Sequence, residues 1–260
     1  MMKRFLLIAA LATLTIGVQA QERLFLSTYN GTNLSRYDGK VCTISADRYM
    51  FTGWNTISLP FSMNEQELNN AFGTNCRLEK LVSADEAANT VTLNFLDCKD
   101  GGIEANTPYM LYYCGETGNV KITKEAEVTN APSVITLTTP TGEVVTMTGA
   151  AKHIEADGFY GVLARDNAEV RFVSLNDAAT NGFFATRCYI QLSSGTDKIL
   201  KAQHLGKGDV TSINAIATGD QVVDVFNTAG TKIATHISAA EVSNLRPGLY
   251  IVKGQKIIVK

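Results

Sequence analysis

Histidine is scarce in this chain. Only His153, His204 and His236 occur, and no two stand at the H-x-x-x-H or H-E-x-x-H spacing that aims two imidazoles at one metal. The five cysteines (Cys42, Cys76, Cys98, Cys114 and Cys188) include no C-x-x-C pair, which removes the usual zinc frameworks. There is no G-x-S-x-G nucleophile elbow and no glycine loop of the kind that cradles phosphate. Charge is balanced and mildly acidic, 23 basic against 25 acidic residues, whereas nucleic acid demands clustered Lys and Arg. Beyond residue 20 no apolar run approaches the roughly 20 residues of a membrane-spanning helix. No motif names a reaction, and no cofactor is expected.

What is present begins with Met1-Met2-Lys3-Arg4, an apolar run from Phe5 to Val18, and Val18-Gln19-Ala20. That is the pattern of a signal peptide over residues 1–20, cleaved after Ala20. Export permits disulfides, and an odd cysteine count leaves at least one thiol unpaired within the chain. Cysteine is also among the most buried residue types, so five core thiols is the plain alternative, and connectivity stays open.

The chain is organised around Gly53–Gly73. Trp54, Ile57, Leu59 and Phe61 anchor a strand in which Trp54 is out of phase with the other three, the mark of a bulge or of a strand buried on both faces. Pro60 cannot donate to a ladder and places the segment at a sheet edge or strand end. Asn64 with Glu67 forms a capping box for a short helix, and Gly73 ends it. Leu68, Ala71 and Phe72 share the face that covers the sheet. Trp54, Leu59, Pro60, Phe61, Phe72 and Gly73 are read as a fold nucleus.

Strand patterns then recur every ten residues or so. They fall at Leu24–Tyr29, Cys42–Ile44, Arg48–Thr52, Leu78–Ser83, Val91–Phe95 (one face to water), Tyr109–Tyr113, Ser133–Thr138, Glu143–Thr148, Gly158–Leu163, Ala168–Leu175 and Tyr189–Leu192. Pro140-Thr141-Gly142 supplies a hairpin turn. Helical period appears once, so the expectation is an all-β, antiparallel, sandwich-like main domain over residues 21–205. Residues 206–209 are a linker by composition, and residues 210–260 form a small β-sandwich-type domain. In that tail Val222–Phe226 and Thr231–Thr235 flank a turn ending at Gly230. Ser238 and Glu241 make a second capping box, and Leu245–Lys260 is a final hairpin about Gly254-Gln255.

The order W-N-T-I-S-L-P-F (Trp54–Phe61), A-F-G, I-E-A-N-T-P-Y (Ile103–Tyr109), G-F-Y-G-V-L (Gly158–Leu163) and A-T-R-C-Y-I (Ala185–Ile190) resembles a β-rich module of secreted and cell-surface proteins of Bacteroidetes. The likeness runs over Gly53–Leu192, in apolar and turn residues, and carries no catalytic residue. The order V-D-V-F-N-T-A-G-T-K-I, then L-R-P-G-L-Y-I-V, then a basic end is similar to the C-terminal sorting domain of type IX secretion cargo. It rests on Gly230, Leu245, Pro247, Gly248, Tyr250, Lys253, Lys256 and Lys260. It departs at the front, where Ile213-Asn214-Ala215 lacks the usual proline. The resemblance implies passage through the periplasm to the cell surface or medium, with the sorting machinery as partner. Because such cargo includes peptidases and glycosidases, a secreted hydrolase is the rival class.

Weighed residue by residue, candidate chemistry gives way to packing. Cys188 with His153, or Cys114 with His204, would be a nucleophile and its base, but Cys188 lies in a strand pattern. Asp97 and Asp100-Gly101 look like half a calcium loop without its closing acid, and an Asx turn explains them. Glu65 and Glu67 are the acidic first turn of a helix. Tyr109, Tyr112 and Tyr113 would stack against sugar, except that alternation sends Tyr112 and Tyr113 to opposite faces. The expectation is a non-catalytic binding or structural protein, with a protein or glycan as surface ligand and its tail acting in sorting or docking.

Overall fold

The computed structural model describes residues 22–27, 32–131, 134–150, 152–155, 157–163, 170–175, 182–206, 223–238, 241–242, 244–252 and 255–259. The signal pattern at 1–20, the Asn30-Gly31 turn, Lys207–Asp209 of the linker, Ile213–Ala215, Lys253, Gly254 and Lys260 lie outside them.

The fold is all-β. In chain order the strands are β1 (Arg23–Ser27), β2 (Val41–Met50), β3 (Gly53–Ile57), β4 (Arg77–Ala87), β5 (Thr90–Asp97), β6 (Tyr109–Tyr113), β7 (Gly118–Glu127), β8 (Val134–Thr138), β9 (Val144–Gly149), β10 (Ile154–Glu155), β11 (Phe159–Leu163), β12 (Arg171–Leu175), β13 (Gly182–Phe183), β14 (Cys188–Leu192), β15 (Ile199–Leu205), β16 (Val223–Asn227), β17 (Lys232–Ile237), β18 (Gly248–Val252) and β19 (Gln255–Val259). Helix α1 (Glu65–Phe72) follows β3.

A five-stranded sheet in the order β15-β5-β4-β6-β3 stands between two cores. One face gives Ile57, Leu78, Tyr109 and Leu111 to a cluster with Leu68 and Phe72 of α1 and with the β1-β2-β7 sheet. The opposite face gives Trp54, Leu81, Ala84, Leu93, Phe95 and Met110 to a cluster with Val145, Met147, Tyr160, Cys188 and Ile190 of the β12-β11-β14-β9-β8 sheet. Every residue of β3 is therefore buried. The phase slip at Trp54 is burial on both faces: Trp54 enters one core, and Ile57, Leu59 and Phe61 enter the other.

Helix α1 starts as its sequence dictates. The Asn64 side chain accepts from Glu67 N at 2.9 Å, the Glu67 carboxylate accepts from Asn64 N at 2.9 Å, and Gly73 ends the helix at φ +90°. The Pro140–Gly142 turn joins β8 to β9 with Gly142 at φ +99°.

Several expectations need correcting. Cys42–Ile44 and Arg48–Met50 belong to one continuous strand, β2, because antiparallel pairing with β7 runs unbroken from Val41 to Met50, and Phe51 and Thr52 lie beyond its end. The strand read through Phe61 ends at Ile57, since beyond it Ser58 N donates to Thr186 O rather than to the β6 ladder. Strands β7 and β15 are not expected from the sequence, because their apolar positions are diluted by charged and polar residues. The arrangement is not wholly antiparallel either: β1 runs parallel to β2, and β15 parallel to β5. The even face of β5 is not all turned to water, because Asn94 is fully buried, bonded to Ser83 and Asp85.

The C-terminal strands form a separate four-stranded sheet, β17-β16-β18-β19, around Val223, Val225, Val242, Tyr250, Val252, Ile257 and Val259. At its first turn Asn227 Oδ1 accepts from Thr231 N at 2.8 Å, with Gly230 at φ +80°. Ser238 and Glu241 cap each other, as their spacing suggests.

Candidate functional site

A groove of about 460 Å³ lies where the C-terminal sheet meets the main body. Its walls come from Ser83–Asp85 of β4, Thr138–Pro140 at the β8–β9 turn, Lys232 and Ile233 of β17, and the run Leu245–Tyr250 that enters β18. That volume falls within the range of small-molecule and side-chain pockets.

Asp85 is the chemically distinctive group in it. The residue is only 5% exposed, and burial raises its carboxyl above the ordinary 3.8, against a hydrogen bond from Asn94 that pulls down. Among the described residues both hydrogen bonds to its carboxylate fall on one oxygen: Oδ2 accepts from Asn94 Nδ2 at 2.8 Å and from Thr228 Oγ1 of the C-terminal sheet. No lysine, arginine or histidine among the described residues forms an ion pair with it. The two cations of the groove are engaged elsewhere or on the rim. Lys232 Nζ sits on Asp224 at 2.7 Å, and Arg246 is exposed. The Tyr250 hydroxyl donates to Arg246 O at 2.8 Å, and burial, then the charge of Asp85, raises its pKa.

This groove gathers part of the tail motif read from the sequence. Leu245, Pro247, Gly248 and Tyr250 line it, whereas Gly230 is in the β16–β17 turn and Lys256 on β19. Asp85 was not among the sequence candidates. It sits in an ordinary S-A-D-E-A strand end, buried like Ser83 and Ala84 before it, whereas Glu86 after it is half-buried, and no residue pattern sets it apart.

A second polar arrangement lies inside the main body. His204 Nδ1 and Glu79 Oε2 are 2.5 Å apart, Arg77 bonds the other Glu79 oxygen at 2.5 Å, and the His204 ring stacks on Trp54. Glu79 is fully buried, and His204 Nε2 is buried with no hydrogen-bond partner among the described residues. A histidine oriented by a carboxylate is how a general base is built, but a base must reach its substrate's proton. The sealed Nε2 reaches none.

The remaining sequence candidates resolve into structure. Cys188 is buried and its thiol is pushed up to about 12 by burial, the wrong direction for a nucleophile. The Cys114 thiol donates to Asn75 O. Asp97 Oδ1 accepts from Lys99 N and Asp100 Oδ1 from Gly101 N, both turn-forming contacts. Glu67 bonds Lys124 at 2.6 Å besides capping α1. Tyr112 packs edge-on against Trp54 in one core, while Tyr109 and Tyr113 face the other. Among the described residues no three His, Cys, Asp or Glu side chains converge as metal ligands, and no helix is long and apolar enough to cross a membrane.

No known protein family, no curated protein and no solved structure matches the chain.

Proposed function

We propose that this is an exported, cell-surface-associated protein that binds or builds rather than catalyses, with the C-terminal sheet serving in sorting or docking. The observation that carries this reading is the construction of that sheet. It has its own apolar cluster, its own turn and cap, and it meets the main body through the Thr228–Asp85 hydrogen bond and the walls of one groove. A unit of some fifty residues with so small a core is marginal alone, which suits a segment whose role is to be handled by a partner. The signal pattern at residues 1–20 and the order of the tail motif point the same way. The hydrolase alternative gains nothing from the Glu79–His204 pair, whose outer nitrogen is sealed.

Deleting residues 208–260 tests the reading. The truncated protein is expected to fold, to keep Trp54 emission blue-shifted, and to stay in the periplasm. The same segment fused to an unrelated periplasmic reporter is expected to carry it to the surface. Normal surface arrival of the truncated protein overturns the sorting role.

A further inference from the structure

We propose that the groove between β4 and the Leu245–Tyr250 run binds a lysine side chain of an extended peptide, with Asp85 Oδ1 accepting from its ammonium group. Asp85 carries a charge without a mate among the described residues. Asp85 is more than nine-tenths buried, and a buried carboxylate is retained at a cost unless it is paired. Its two hydrogen bonds come from neutral donors and crowd onto Oδ2, so Oδ1 accepts none among the described residues while the residue lines open volume. The missing partner is a cation with donors to spare, and an ammonium carries three.

The walls say what the cation hangs from. Ala84, Pro140 and Leu249 offer apolar surface around the acid, suited to the aliphatic stem of lysine. A metal ion is a poor fit, because it needs several anionic or carbonyl ligands and Asp85 is the one carboxylate lining the groove among the described residues. The groove's own cations do not compete: Lys232 is held by Asp224, and Arg246 stands exposed at the rim. Arg246 in turn supplies a mate for a carboxylate on the same peptide. The favoured sequence therefore places an acidic residue beside the lysine, and the groove's volume leaves room beyond a single butyl chain.

The test uses the full chain and a short fluorescent peptide containing Lys-Glu, read by anisotropy. The same peptide with norleucine for lysine keeps the stem and removes the charge. It is expected to bind about tenfold more weakly or worse, the usual loss for a hydrogen-bonded charge. Asp85→Asn, which keeps an acceptor for Asn94 and Thr228, is expected to erase the preference for lysine. Arg246→Gln is expected to erase the preference for the neighbouring glutamate only. Equal binding of the norleucine peptide overturns the proposal, as does an absence of saturable binding by the lysine peptide. Butylammonium binding without peptide binding overturns the peptide assignment. Should Asp85→Asn fail to fold, judged by Trp54 emission, the lysine-against-norleucine comparison on the unaltered protein decides alone.

Discussion

Trp54 and His204 stack with ring centroids 4.1 Å apart and planes within 6°, although they belong to β3 and β15, the two outermost strands of a five-stranded sheet. Four strand spacings of about 4.8 Å would hold those strands nearly 20 Å apart in a flat sheet. The sheet therefore curls towards its Trp54 face far enough for side chains from its two edge strands to touch. Arg77 lies over the Trp54 ring and Tyr112 packs against it edge-on, so one indole joins three strands besides its own.

Trp54→Ala should accordingly cost on the order of 3–5 kcal/mol, the range for a fully packed aromatic. Native tryptophan emission should be blue-shifted and shift to the red in urea. Red-shifted native emission open to iodide quenching would contradict this packing.

Glu79→Ala should destabilise by roughly 1–3 kcal/mol, because it leaves the half-buried His204 ring, its Nε2 already sealed, without a partner on either nitrogen. His204→Phe keeps the stack on Trp54 and the Arg77 bond but leaves Glu79 Oε2, on a fully buried carboxylate, without its imidazole partner, so it should cost at least as much. Urea unfolding of the two variants measures both, and a neutral His204→Phe would count against a structural role for the pair.

Acid should loosen the protein through Glu143. Burial alone would raise its carboxyl, but hydrogen bonds from Lys198, Ser194 and Ser193 outweigh burial and hold it at about 2. A carboxylate with a depressed folded-state pKa adds stability above its unfolded pKa and loses it as pH falls through the folded one. The Glu143 contribution should therefore be whole above about 4.5 and vanish towards about 2. Glu143→Gln should flatten the urea midpoint across that interval, and an unchanged pH profile would refute the assignment.

Asp85 should behave in the opposite sense. Burial raises its folded-state pKa, so the charged form costs stability at all pH values above that raised pKa. Asp85→Asn should raise the melting temperature near neutral pH. The gain should fade as pH falls through the raised pKa towards 3.8, below which both states are protonated. A loss of stability in Asp85→Asn near neutral pH would mean that the carboxylate is structural.

Two glycines separate backbone strain from collision. Gly142 has φ +99° and open space around it, so Gly142→Ala should cost only the left-handed backbone, about 1–2 kcal/mol. Gly102 has φ +69°, and a Cβ there would run into the Met63 carbonyl oxygen, a backbone atom held by the Met63–Ile103 bridge. Gly102→Ala should therefore be clearly worse in thermal unfolding, and equal costs would argue against this close approach.

Local chemistry was legible in the residues themselves. The Asn64–Glu67 box, the Gly73 stop, the Gly142 turn, the strand Tyr109–Tyr113 and the out-of-phase Trp54 each follow from short-range hydrogen bonding or strand alternation, which neighbours in sequence decide. The all-β class followed from the same patterns. Distant partners were another matter. That Trp54 meets His204, that β1 and β15 run parallel to their neighbours, and that Asp85 faces Thr228 all depend on chain segments tens to well over a hundred residues apart. No local pattern encodes such a meeting, because side-chain period specifies which face a residue takes but not what covers it. The candidate site belongs wholly to that second kind. Asp85 becomes a buried acid beside an open groove only once the C-terminal sheet is docked, and Leu245, Pro247, Gly248 and Tyr250 line the groove only because β18 packs against β4.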